Sequence, residues 1–299
     1  MSRSWFETKD LWWMRAWERF IYFGLRSFEF LTRPIPLWQV TEFLARIGGW
    51  LLPRLPGPRQ RLVENFARVY PEMTRDARRV LMRDTCRHFT RLSIEYAHFG
   101  RFLNDARIEP KGLENLAAPH GAGRGVVLVS AHYGNWEAVR IAALKGGYPC
   151  GIIYRPFNNR LLDGYTVRLI SAAGEPVLHK GPRGMRALHK HVATGGIALV
   201  LVDQRNTGAP LIPFLGHPAE TVTVAAALAH RTGAALIPAV APRLDEAGRF
   251  EARFEPEIPP SDPETMMTAA NERIAAWITE DPAQWFWLHR RWKRPRPSA

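Results

Sequence analysis

From Leu11 to Leu31 the chain reads LWWMRAWERFIYFGLRSFEFL, and its charged and aromatic positions recur at helical spacing. At about 100° per residue, Arg15, Glu18, Arg19, Arg26 and Glu29 share an arc of roughly 100°, opposite Trp13, Trp17, Phe20, Gly24 and Phe28. This pattern predicts an amphipathic helix with an aromatic face. Two uses fit it: a surface helix packed on its own core, or an interfacial helix whose Trp and Phe insert at a membrane surface while Arg meets lipid phosphate. The abundance of Trp favours the second, because its amphipathic ring suits the headgroup region. Pro-rich punctuation at RPIPL and LLPRLPGPRQ follows, then a helical block from about 60 to 99 broken near Pro71, with Leu62, Phe66 and Val69 on one face. The first hundred residues read as all-helical.

From Gly125 the texture changes. Short β-branched runs (GVVLVSA, CGIIY, IALVLVD, AALIPAVAPR) alternate with helical stretches at about 137–145, 160–173, 183–193 and 220–231. Such alternation predicts an α/β fold, with a mainly parallel central sheet and helices on both faces. The alternating, hydrophilic RFEARFEPEI is expected at a sheet edge, and a last helix at 263–280 precedes QWFWLHRRWKRPRP. The expected organisation is a membrane-associating helical region at 1–55 and one domain at 56–299. Within that domain we expect a helical lead-in at 56–105, an α/β core at 106–282 and a basic aromatic tail at 283–299, suited to a bilayer surface or to solvent.

Composition narrows the function. The 299 residues are 46% hydrophobic, enough for a full core, and the formal net charge of +13 favours phosphate-rich partners: nucleic acid, an anionic leaflet or a phosphorylated substrate. Only two cysteines occur, Cys86 and Cys150, without paired spacing, so a disulfide framework is not expected. No run of about 18 apolar residues predicts a spanning helix, and charges interrupt the first apolar stretch where a cleavable signal peptide would need continuity. His189 and His191 flank Lys190 at a spacing that does not share a helix face, so no metal site is expected there.

The candidate chemistry lies in SAHYGNWE. His132 falls where a strand ends and Glu137 where a helix begins, and ligands of open α/β sheets collect beyond the carboxyl ends of strands. Five residues apart, the two would point about 140° away from each other on one regular helix. They can meet only across a turn, for which Gly134 and Asn135 are suited. An imidazole beside a carboxylate makes a general base, although a histidine that merely hydrogen-bonds the turn is the plainer alternative. No GxSxG elbow or marked nucleophilic cysteine suggests a covalent acyl-enzyme, so the substrate would supply the attacking oxygen.

Arg155 follows the strand CGIIY and could bind a phosphate or a developing oxyanion. Asp203 and Gln204 end IALVLVD and could hold headgroup hydroxyls or position Arg155. Lys180 and Arg183, near a helix start, suit an anion; Asn135 and Asn158 complete the polar set. His289 is expected to be interfacial rather than a second base.

SAHYGNWE resembles the His-x-x-x-x-Asp/Glu signature of glycerolipid-type acyltransferases, in the form found in the late lipid A acyltransferases, the lauroyl and myristoyl transferase family. The likeness continues through IYRPFNNRLLD, KGPRGMRALHKHVATGGIALVLVDQ, PFLGHPAET and PAQWFWLHRRWKRP, and VENFARVYPEMT echoes its Asn and Pro-Glu pattern. It spans about residues 60–296. His217 and TVTVAAA depart from the family's usual basic and small or Pro/Gly-containing versions.

The resemblance implies transfer of a fatty acyl group from acyl carrier protein to a hydroxyl of a lipid A precursor, the 3-hydroxyl of an acyl chain on a phosphorylated glucosamine disaccharide. His132 would be the base and Glu137 its orienting partner. It implies no metal and no diffusible cofactor, an anionic membrane surface rather than nucleic acid as partner, and the cytoplasmic face of the inner membrane. Two rivals stay open: a related acyltransferase acting on a mannosylated phosphoinositide or an amino-lipid, and a non-catalytic basic peripheral membrane protein or nucleic-acid binder. The second gives no reason for a His and a carboxylate at a strand end.

Overall fold

All five residues of Val126–Ser130 are buried, and consecutive ones feed opposite sides of one sheet. Val127 and Val129 enter one hydrophobic cluster, Val126 and Leu128 the other, as the two-residue period of a strand requires. In this computed structural model, which describes residues 12–292, the sheet therefore has a core on each face.

Five helices lead in: α1 (Trp12–Thr32), α2 (Leu37–Leu51), α3 (Pro56–Val69), α4 (Arg75–Ala97) and α5 (Phe99–Asp105). The α/β part runs β1 (Arg107–Lys111), α6 (Leu113–Gly121), β2 (Val126–Ser130), α7 (Trp136–Lys145), β3 (Cys150–Tyr154), α8 (Arg160–Ser171), β4 (Val177–His179), α9 (Pro182–Ala193) and β5 (Ile197–Leu201). A hairpin of β6 (Leu211–Phe214) and β7 (His217–Glu220) follows, then α10 (Val224–Thr232), β8 (Ala235–Val240), β9 (Arg249–Phe254) and α11 (Pro263–Glu280). The sheet order is β1-β9-β8-β2-β5-β3-β4, parallel from β8 to β4, with β9 antiparallel to β8.

Helices α3, α4, α9, α10 and α11 cover one face; α2, α5, α6, α7 and α8 cover the other. The expected α/β class with a mainly parallel sheet holds. Both cysteines are buried and free.

Three expectations are corrected. RFEARF is not an edge strand, because RIEPK, polar enough to read as loop, pairs outside it in parallel as β1. PFLGHPAET is a hairpin whose turn places Leu215 and Gly216 at positive φ, so α10 begins at Val224, after β7, rather than at 220. The third concerns QWFWLHRRW, of which residues up to 292 are described; 293–299 and residues 1–11 lie outside the described residues. It is no surface tail: Trp285, Trp287, Arg291 and Trp292 are buried. Trp287 packs on Phe66 of α3 at 4.9 Å between ring centroids, and Asn65 donates to the carbonyls of Trp287 and His289. Arg291 donates to the Glu220 carbonyl at 2.7 Å and Thr221 Oγ1 at 2.5 Å, and burial pulls its pKa down to about 10.

Helix α1 docks by its polar edge. Tyr165 of α8 donates to Glu29 at 2.5 Å, Asn159 donates to the Glu18 carbonyl, and Thr32 Oγ1 lies 2.7 Å from His98 Nε2. Trp13, Trp17 and Phe20 on the other side are 53%, 59% and 67% exposed and do not pack on the protein's own core, whereas Phe28, expected on the same face, is half-buried edge-on against His98. Among the described residues no helix is long and apolar enough to cross a membrane.

Candidate active site

The parallel register decides which residues meet. Val126 pairs with Ile197 and Ser130 with Leu201, and continuing two residues past the strand ends brings His132 opposite Asp203. The contact forms: His132 Nδ1 lies 2.7 Å from Asp203 Oδ1, and the His132 backbone N–H donates to Oδ2 at 2.9 Å. Trp285 Nε1–H donates to the same Oδ2 at 2.7 Å. Burial opposes charge on Asp203, yet the neighbouring His132 and these hydrogen bonds outweigh it and hold the carboxyl below its ordinary pKa. An ionised Asp203 fixes the tautomer that carries its proton on Nδ1, which leaves Nε2 as the basic nitrogen.

That nitrogen faces the open side. The His132 side chain is 21% exposed against 2% for Asp203. Trp136 and Phe286 flank the imidazole at 5.0 and 6.1 Å between centroids, and the Gln204 amide nitrogen sits 3.3 Å from Nε2.

The turn that presents His132 is pinned on both sides. Gly134 takes φ +58°, and a Cβ there would run into the Ala241 carbonyl. Its N–H donates to the Gln284 carbonyl, the Asn135 N–H to the Ala241 carbonyl, and the Phe286 N–H to the His132 carbonyl. Beneath the turn, His88 Nε2 donates to the Gly134 carbonyl at 3.1 Å, and burial pushes its pKa down to about 3, so it stays neutral. Asn135 Nδ2 donates to Glu95, which also pairs with Arg243, buried near the motif.

The expected His132–Glu137 contact is absent among the described hydrogen bonds. Asn135 is extended rather than turn-like; its side chain caps α7 by accepting from the Glu137 N–H. Helix α7 thus starts at Trp136 and aims Glu137 inward, where it accepts from Tyr96 at 2.9 Å and pairs with Arg140 at 2.6 Å. Arg140, fully buried, also donates to the carbonyls of Cys150 and Gly174. The carboxylate five residues on neutralises a buried structural arginine, and the carboxylate from the neighbouring strand orients the histidine.

Buried Asn135 is a helix cap and buried Asp203 a partner of His132, and Asp203 makes no hydrogen bond to Arg155 among the described residues. The other expected residues share one edge. In the order β2-β5-β3-β4 the carboxyl ends carry His132, Asp203 with Gln204, Arg155, and Lys180. Tyr154 pairs with His179, so Arg155 and Lys180 come next in register, and both are exposed. At about 4.8 Å per strand they stand roughly 10 and 14 Å across the edge from His132. Asn158 lies exposed before α8, and Arg183 exposed in the first turn of α9.

His289 is half-buried, and its Nε2 accepts from the Arg205 N–H at 3.0 Å, securing the turn after Gln204. His217 Nε2 donates to the Arg68 carbonyl, a structural use. The sequence reading missed Trp285, Phe286 and Trp136 at the site. Only the strand-end position of Asp203 signalled its role.

With this geometry in place, comparison with known proteins decides the family. The profile of the family described as bacterial lipid A biosynthesis acyltransferase matches residues 8–294. The chain belongs to that family. It is an acyltransferase. It is similar to a lipid A biosynthesis acyltransferase of Haemophilus influenzae, 24% identical over 95% of this chain and 89% of that one. It is similar to the lipid A biosynthesis lauroyltransferase of Escherichia coli, 27% identical over 88% of this chain and 90% of the relative. The lipid A biosynthesis palmitoleoyltransferase of Escherichia coli matches at 24% over 83% of each chain.

Proposed function

We propose that this acyltransferase moves a fatty acyl group from an acyl carrier protein thioester to a hydroxyl of a lipid A precursor, with His132 as general base and Asp203 as its orienting carboxylate. The observation that carries the mechanism is the asymmetric imidazole: Nδ1 held by a buried carboxylate, Nε2 open at the sheet's carboxyl edge. Nε2 takes the proton of the acceptor hydroxyl as its oxygen attacks the thioester carbonyl. The tetrahedral intermediate expels the carrier's phosphopantetheine thiolate, and the imidazolium returns the proton to that sulfur. Gln204 is placed to donate to an oxygen at the reacting centre. The thioester supplies the leaving group and the imidazole the base, so the reaction as written calls on no metal or diffusible cofactor.

Arg155 and Lys180, with Arg183 and Asn158, are the groups we assign to the precursor's phosphates and sugar. Glycolipid substrates sit in a bilayer, and the outward aromatic face of α1 supports peripheral attachment there. The cytoplasmic face, where acyl carrier protein resides, is part of the same proposal.

Incubation of the purified protein with an acyl carrier protein thioester and a lipid A precursor should give a product heavier by one acyl group on mass spectrometry. No mass gain with that acceptor overturns the assignment. His132→Ala and Asp203→Asn should each cost on the order of 10²–10⁴ in rate while the fold persists. Glu137→Gln should lower the melting temperature, because Arg140 loses its counterion, while the folded fraction keeps near-normal kcat. The opposite ranking of the two carboxylates would reinstate Glu137 as the orienting partner. A pH–rate profile that stays flat between about pH 5 and 9 would remove an imidazole as the base.

A further inference from the structure

Helix α2 carries a second apolar stripe that neither the fold nor the site uses. Phe43 (66% exposed), Ile47, Trp50 (60%) and Leu51 recur at four, three and one positions along one side, continued by exposed Leu55 after the helix. The opposite side packs on α4 through Thr41, Ala45, Gly48 and Gly49; a Cβ at Gly48 would collide with Thr90. The stripe is therefore not a core face left loose, since this helix already has its core contact.

Charge along the segment is sorted in the same sense. Between positions 33 and 61 there are five arginines, Arg33, Arg46, Arg54, Arg59 and Arg61, and one acid, Glu42. Glu42 is turned inward, 12% exposed, and pairs with Arg91, Arg87 and Arg46. All five arginines are exposed, and the Arg54 guanidinium lies over the Trp50 ring at 4.5 Å from its centroid. An outward surface of aromatics and arginines with its carboxylate withdrawn complements an anionic lipid leaflet: rings among acyl chains, guanidinium groups at phosphates.

We propose that α2 is a second bilayer-contacting element, with Phe43, Ile47, Trp50 and Leu51 inserting into an anionic leaflet and Arg54 and Arg59 binding its headgroups. It extends the reading of α1 as a membrane-facing helix, but it stands on a separate helix with its own packing.

The test is co-flotation of the full chain with phosphatidylglycerol-containing vesicles and with neutral phosphatidylcholine vesicles. The triple variant Phe43→Ser, Ile47→Ser, Trp50→Ser should bind the anionic vesicles at least about tenfold more weakly, with thermal unfolding like wild type because all three side chains are exposed. Arg54→Glu with Arg59→Glu should weaken binding to the anionic vesicles alone and flatten its salt dependence. Wild-type vesicle binding by the triple variant overturns the proposal. So does a triple variant that changes only the oligomeric state on size exclusion, because the stripe is then a contact between copies of the chain. The same measurement on Trp13→Ser, Trp17→Ser, Phe20→Ser separates the two helices: binding lost by the α2 variant and kept by the α1 variant sinks the α1 reading and leaves this one standing. No step of the test depends on acyl transfer.

Discussion

Two segments of this chain look alike on paper and end in opposite environments. The N-terminal helix, WWMRAWERF, and the C-terminal strap, QWFWLHRRW, both interleave tryptophan with arginine. In α1 the rings of Trp13, Trp17 and Phe20 stay outside, while the Glu29 carboxylate accepts from Tyr165 and the Glu18 backbone carbonyl from Asn159 on the body of the protein. In the strap, Trp285, Trp287 and Trp292 are buried, and Arg291 is buried with carbonyl and hydroxyl partners. A Trp/Arg alternation therefore says that large apolar surface and charge lie close together; it does not say which of them faces water. Whether backbone carbonyls stand ready to receive the guanidinium decides that, because a buried cation without partners is costly.

The largest expected difference between the two segments is in stability. Trp287→Ala, which empties a packed site against Phe66 and Trp285, should cost about 3–5 kcal/mol in urea unfolding, and Trp17→Ala should stay within about 0.5 kcal/mol. Equal losses would break the contrast. Next comes vesicle binding: changing Trp13, Trp17 and Phe20 to Ser should reduce association with anionic vesicles about tenfold while thermal unfolding stays put.

The smallest effect sharpens the strap's part in catalysis. Trp285→Phe keeps the ring and removes one of three donors to Asp203. With less stabilisation the carboxylate becomes more basic and favours the imidazolium of His132, so the acid limb of the pH–rate profile should move to higher pH, with a modest loss of rate at neutrality. An unshifted limb would reduce Trp285 to packing.

Much of the fold was legible. The runs at Val126, Cys150, Ile197 and Ala235 are short, mostly apolar and contain β-branched residues, as strands covered on both faces of a parallel sheet require. RIEPK was not legible as a strand, because pairing with β9 rather than its own hydrophobicity holds it in the sheet. At the site, His132 and its position were readable from strand-end logic. Its partner was not: Glu137 is near in sequence, but the cap at Asn135 and the buried charge of Arg140 draw it inward.

The sequence by itself determined the alternating elements, the residue types available at the sheet's carboxyl edge, the excess of basic charge and, through several ordered motifs, the family. Those properties are local, written in hydrophobic period and in short runs of neighbouring residues. The tertiary structure decided which carboxylate serves the histidine, which tryptophans are core and which face outward, and that Trp285 and Phe286 pack against the site. Each of these depends on strand register or on a partner far along the chain, and a contact across 71 positions, such as His132 with Asp203, exists only once the strands have paired.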